Sequence, residues 1–104
     1  MDDIYQRIKS LLQIAFKANK VALGHDSVVR LLVKKKVLLL ILANDLSENS
    51  YLSVTKYTKD SFIDIINLEN KEFYFQIFGK YTGIVGILDE NFKNGLKKLF
   101  SLIT

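Results

Sequence analysis

Seven consecutive apolar residues, Val37-Leu38-Leu39-Leu40-Ile41-Leu42-Ala43, stand between Lys34-Lys35-Lys36 and Asn44-Asp45. A run this short makes no independent helix in water, and it falls far below the roughly 20 apolar residues of a membrane-spanning helix. It is also too apolar for a strand at a sheet edge. The remaining solution is a central strand covered on both faces. Such a strand requires helices packed on both sides of one sheet.

The flanking sequence supplies those helices. Residues 3–18 set Ile4, Ile8, Leu11, Leu12, Ala15 and Phe16 on one helical stripe. Lys20–Gly24 reads as a short strand ending at a glycine that permits a sharp turn. Asp26–Lys35 reads as a second helix with Val28, Val29, Leu32 and Val33 inward. Asp45-Leu46-Ser47-Glu48 has the spacing of a capping box, with Asp45 as the acceptor, and opens a weakly amphipathic third helix reaching Tyr57. Phe62–Ile66 is the next strand, Lys71–Phe78 an aromatic-rich helix, and Gly83–Leu88 the last strand. Asp89 caps a final helix with Phe92, Leu96, Leu99, Phe100 and Ile103 inward. The alternation predicts an α/β fold: a three-layer α/β/α sandwich with five helices and a single four-stranded mixed sheet.

A chain of 104 residues has room for one core, so residues 1–104 are expected to form a single domain. Cysteine is absent, which excludes disulfides and thiolate metal sites. Met1-Asp2-Asp3 lacks the basic-then-apolar opening of a secretory leader, and a cytoplasmic location is expected. The net charge of +4 is unevenly placed. Lys17, Lys20, Arg30, Lys34, Lys35 and Lys36 face Asp26 alone, so residues 17–36 carry +5 and the rest of the chain −1. One basic segment on a near-neutral chain suits a localised anionic partner; the competing reading is that Lys34–Lys36 solvate a helix end.

Catalytic signals are missing. His25 is the sole histidine, without a second metal ligand or a partner for general-base work. There is no phosphate loop, paired-carboxylate site or nucleophile triad. No enzyme activity, metal or cofactor is expected. Phe73, Tyr74, Phe75 and Phe78 read as core packing that leaves one or two rings partly exposed.

Gly24-His25-Asp26-Ser27-Val28-Val29-Arg30, followed by the apolar strand ending Ala43-Asn44-Asp45, resembles the kink-turn-binding ribosomal proteins of the L7Ae and L30e type and their small bacterial relatives. Phe78-Gly79-Lys80, Ile84–Leu88 and Asp89-Glu90-Asn91-Phe92 are similar to later pieces of that pattern, and Ala15–Lys20 to the opening of the bacterial branch. The resemblance implies recognition of a sharply bent, internally looped RNA. The first turn of the second helix would meet phosphates and guanine edges, and the loop before the last strand would cover an extruded base.

On this resemblance the RNA-binding residues are Lys20, Gly24, His25, Asp26, Ser27, Arg30, Lys34, Lys35, Lys36, Tyr81 and Thr82. The family's asparagine falls on Asp26, its glutamate on Ser27 and its lysine on Arg30. Arg30 can donate two bonds to one guanine edge. Asp26 can only accept and is alternatively a helix cap; His25 is alternatively a structural hydrogen-bond partner. Phe75 takes the place of one of the family's two glycines, and Gly79 keeps the other. The expected partner is structured RNA, ribosomal or otherwise non-coding, bound by a monomer associated with the ribosome and not with a membrane. Two other readings stay open: a protein-interaction scaffold that kept the fold without RNA recognition, and an accessory domain serving a separate RNA-modifying enzyme.

Overall fold

The computed structural model describes residues 3–103; Met1 and Asp2, part of the leader reading, lie outside them. The chain runs α1 (Ile4–Lys17), β1 (Val21–Leu23), α2 (His25–Val33), β2 (Leu39–Leu42), α3 (Glu48–Thr55) with a 3-10 turn (Lys56–Thr58), β3 (Asp64–Asn67), α4 (Lys71–Phe78), β4 (Ile84–Ile87) and α5 (Glu90–Ser101). The strands form one sheet in the order β1-β4-β2-β3. β2 pairs parallel with β3 and antiparallel with β4, and β1 pairs antiparallel with β4. The sheet is mixed, as expected.

β2 shows why the fold has three layers. All four of its residues are fully buried. Leu39 and Ile41 enter a core with Ile8 and Leu12 of α1, Tyr74 of α4, and Leu96 and Phe100 of α5. Leu40 and Leu42 enter a second core with Val28 and Leu32 of α2 and Val54 of α3. Period-two alternation thus feeds both layers, each such side chain contributing about 1.5–3 kcal/mol.

α1 and α2 end in the same device. Asn19 and Lys35 take a left-handed φ of 59°. The N–H groups of Lys20 and Lys36 reach back to the carbonyls of Ala15 and Leu31, each at 2.9 Å. These Schellman turns satisfy the last helical carbonyls and aim the chain into β1 and β2.

Four details differ from the sequence reading. α3 is capped by Ser47, whose hydroxyl accepts from Ser50 N–H at 3.1 Å; the Asp45 carboxylate instead accepts from Lys71 N–H at the start of α4, 3.0 Å. β3 begins at Asp64, because β2 offers pairing only from Leu39, which lies opposite it. Phe62 is left outside the sheet, fully solvent-exposed. Val33, at the last position of α2, is 63% exposed, since the buried stripe of the helix runs through Val28 and Leu32 and Val33 lies about 100° further round. Asp26 does not cap α2; Gly24 holds that position. Among the described residues no helix is long and apolar enough to cross a membrane.

Candidate functional site

Antiparallel pairing sets Leu23 opposite Val85, so the residue after β1 meets the first residue of β4. Gly24 N–H donates to the Ile84 carbonyl at 2.9 Å. The start of α2 and the loop 79–83 therefore lie side by side, the arrangement that the sequence resemblance requires. Gly24 has φ 88° and ψ 162°, a region open to glycine and costly for other residues. It caps α2 without a side chain, so no side-chain acceptor occupies the first N–H groups of the helix.

His25 is held from two sides. Its Nδ1 lies 3.1 Å from Asp26 Oδ1, and its Nε2 lies 2.6 Å from Ser53 Oγ on α3. Ser53, His25 and Asp26 share the connectivity of a hydrolase triad. However, Asp26 stands in full solvent, where a carboxylate does not act as the shielded orienter that such a triad needs. The cluster instead ties the first turn of α2 to α3, the structural alternative for His25.

Ser27 and Arg30 follow on α2. They line a cleft of about 270 Å³ together with Lys80 of the loop, over a floor of Val21, Ala22, Leu23, Leu31, Leu88 and Phe16. Arg30 is exposed, and among the described residues no carboxylate pairs with it. Across the loop, Tyr81 stacks on Phe75 with centroids 4.6 Å apart and planes inclined by 27°. Tyr81 Oη donates to Glu72 Oε2 at 2.8 Å, and that bond to a carboxylate raises the phenol pKa above its ordinary value. With Tyr81 at 68% and Phe75 at 39%, the pair forms an exposed aromatic step. Thr82 departs from its expected role. It is buried, its hydroxyl donates to the Ile84 carbonyl and accepts from Ile84 N–H, and it shapes the loop from inside.

The lysines do not join this group. The Lys20 carbonyl accepts from Leu88 N–H, and Leu38 N–H donates to the Ile87 carbonyl. Lys20 and Lys34–Lys36 therefore sit at the end of the sheet where β4 finishes. Gly24 and the loop 79–83 sit where β4 begins. The length of α2, roughly 14 Å for its nine residues, separates Gly24 from Lys34. The sequence reading took these lysines as neighbours of the α2 start because they are close along the chain; the helix carries them away.

Four residues at the site were missing from the expected set: Ser53, Glu72, Phe75 and Lys80. Lys80 and Phe75 stood within the motifs of the resemblance. Ser53 had no local signal, being 28 residues from His25.

The chain is thus a three-layer α/β/α fold whose α2 start, capped by Gly24 without a side chain, lies beside a loop bearing an exposed aromatic pair. This chain belongs to the ribosomal protein L7Ae/L30e/S12e/Gadd45 family, whose sequence profile matches residues 6–96. Among solved structures, it is similar to a protein with unknown function from Bacillus halodurans C (TM-score 0.83, 23% identity, covering 91% of this chain and 97% of that one). It is also similar to the Giardia lamblia 15.5kD RNA binding protein (TM-score 0.73, 11% identity, covering 97% of this chain and 88% of that one). A comparison with curated proteins returns no match.

Proposed function

We propose that this chain is a non-catalytic RNA-binding protein that reads a bent, internally looped RNA of the kink-turn type, in the cytoplasm and in association with the ribosome or its RNAs. The observation that carries the reading is the Gly24–Ile84 hydrogen bond, which joins the open start of α2 to the loop 79–83. Family membership and the fold shared with the Giardia RNA-binding protein support it. In this reading the first N–H groups of α2 receive a phosphate. Arg30, free of a carboxylate partner, forks onto a guanine O6/N7 edge, with Ser27 and Lys80 beside it. The Tyr81–Phe75 step offers a face on which an unstacked base can lie. His25 and Asp26 hold the helix start in place.

Titration of a kink-turn RNA and of a duplex lacking the internal loop tests this assignment. Arg30→Ala should cost about 1–3 kcal/mol on the kinked RNA and erase its advantage over the duplex. Equal binding by the wild type and Arg30→Ala would contradict it. Crosslinking to cellular RNA with sequencing would identify the target.

A second reading, a protein-interaction scaffold, is favoured by one specific observation. Asp26, Asp45, Glu48, Glu69 and Glu72 lie on the segments that leave or enter the sheet at the α2-start end, and carboxylates there oppose phosphate. A defined protein partner in pull-downs, with no RNA retained after a salt wash, would select this reading.

A further inference from the structure

We propose that the phosphate backbone is gripped chiefly by the end of the sheet opposite the α2 start, away from the helix opening and the loop 79–83. The inference rests on the RNA-binding reading above and assigns it a second surface.

The argument begins with topology. β1 enters, β2 enters, β3 enters and β4 leaves at one and the same end of the sheet. The segments that border this end bring Lys17 and Lys20, Lys34, Lys35 and Lys36, and Lys59. All six are exposed, and among the described residues none forms an ion pair. The same end holds Asp60, Asp89, Glu90 and Lys93, and the Asp64–Lys97 pair at the start of β3. Glu90 is paired with Lys93 at 2.9 Å, and the Asp89 carboxylate is engaged by Asn91 and Phe92 N–H groups as the cap of α5. Among the described residues, six lysines and Asp60 are the charged groups at this end without an ion pair or a helix-cap bond, a balance of +5.

Backbone geometry keeps them on one surface. The Schellman turns hold Lys20 and Lys35–Lys36 at fixed exits from α1 and α2. The turn bonds already satisfy the carbonyls of Ala15 and Leu31, so these lysines are not needed to neutralise them. β1 and β2 flank β4, which sets the Lys20 backbone roughly 10 Å from that of Leu38, two residues after Lys36. A nucleic-acid duplex carries one charge per about 1.7 Å of its axis, so that span faces several phosphates at once. The α2-start end has the opposite balance, with Asp26, Asp45, Glu48, Glu69 and Glu72 against Lys71 and Lys80 on its bordering segments. Phosphate attraction is therefore strongest away from the α2 opening and the aromatic loop.

The test compares wild type, a Lys20→Gln/Lys34→Gln/Lys36→Gln triple variant and Arg30→Ala. Each is titrated across salt with a kink-turn hairpin on a long stem, the same hairpin cut to a minimal stem, and a plain duplex. All the substituted side chains are exposed, and circular dichroism confirms the fold. The triple variant should bind the long-stem hairpin and the duplex more weakly by a similar factor, with the slope of log affinity against log salt reduced by about 2–3. It should keep the preference for the kinked element. Arg30→Ala should do the reverse, losing preference with the slope lowered by at most about one. A triple variant with wild-type slope and affinity would overturn the inference while leaving the RNA-binding reading intact. Failure of the wild type to bind any of the three RNAs would overturn both. Equal affinity of the wild type for poly-glutamate would overturn the assignment to a nucleic-acid backbone.

Discussion

Replacing Gly24 by alanine isolates a backbone cost, because a Cβ at this position meets nothing within 4 Å. The φ of 88° with ψ of 162° lies in a region that is essentially glycine's own, costing other residues on the order of 1–3 kcal/mol. Alanine also stiffens the unfolded chain, which returns about 0.4–1 kcal/mol. The net expectation for Gly24→Ala is a loss of about 1–2 kcal/mol. For a domain of this size that corresponds to a fall in Tm of about 5–12 °C. Urea unfolding followed by circular dichroism should show a lower midpoint with an unchanged slope, since the surface exposed on unfolding is the same. Asparagine sharpens the test. It tolerates the ordinary left-handed region but not the one Gly24 occupies, so Gly24→Asn should lose as much as Gly24→Ala. At Gly79, with φ 73° and ψ 13°, the conformation is ordinary left-handed. There, Gly79→Asn should be nearly neutral, and Gly79→Ala should cost about 1 kcal/mol. Gly24→Ala within about 0.5 kcal/mol of wild type would refute the reasoning, because α2 could then be entered without glycine geometry.

Tyr74→Phe should destabilise the protein by about 1–3 kcal/mol, measured by the same melts, because the buried Leu68 carbonyl loses the phenol donor. Burial, with help from the Glu69 and Asp45 carboxylates, pushes that phenol far above its ordinary pKa, so the hydroxyl stays protonated through the alkaline range. His25→Ala and Ser53→Ala should each loosen α2 from α3; a double-mutant cycle should show a coupling of about 0.5–1.5 kcal/mol, and strict additivity would exclude the tie. Lys97 holds the Asp64 carboxyl below its ordinary pKa through a hydrogen bond and its charge. The stabilisation is thus fully present above the ordinary carboxylate range and is lost as pH falls through the lower folded value. Both groups are about half exposed, so the effect is small; a carbon-detected NMR titration should place Asp64 below a free aspartate, and a midpoint at or above it would contradict the pairing.

Much of the fold was legible in the chain because local patterns and burial agree. The run Val37–Ala43 became the doubly covered β2, and the stripes of α1 and α5 buried Ile8, Leu12, Leu96 and Phe100 as expected. Errors fell where a residue had two possible bonding partners. Asp45 had the spacing of a cap yet bonds to Lys71, because β2 and β3 finish together and bring the α4 start within reach. Phe62 had strand chemistry but no strand opposite it.

The site divided along the same line. Periodicity and turn chemistry on their own determined the glycine-opened helix, the neighbouring strand and the loop 79–83, since each depends on residues a few positions apart. Only the tertiary structure decided that Gly24 lies against Ile84, that Ser53 holds His25, and that Lys20 and Lys34–Lys36 gather at the far end of the sheet. Distance along the chain is a poor guide once a helix intervenes: the nine residues of α2 carry the lysines to the opposite end of the sheet from Gly24, with Arg30 in the last turn between them.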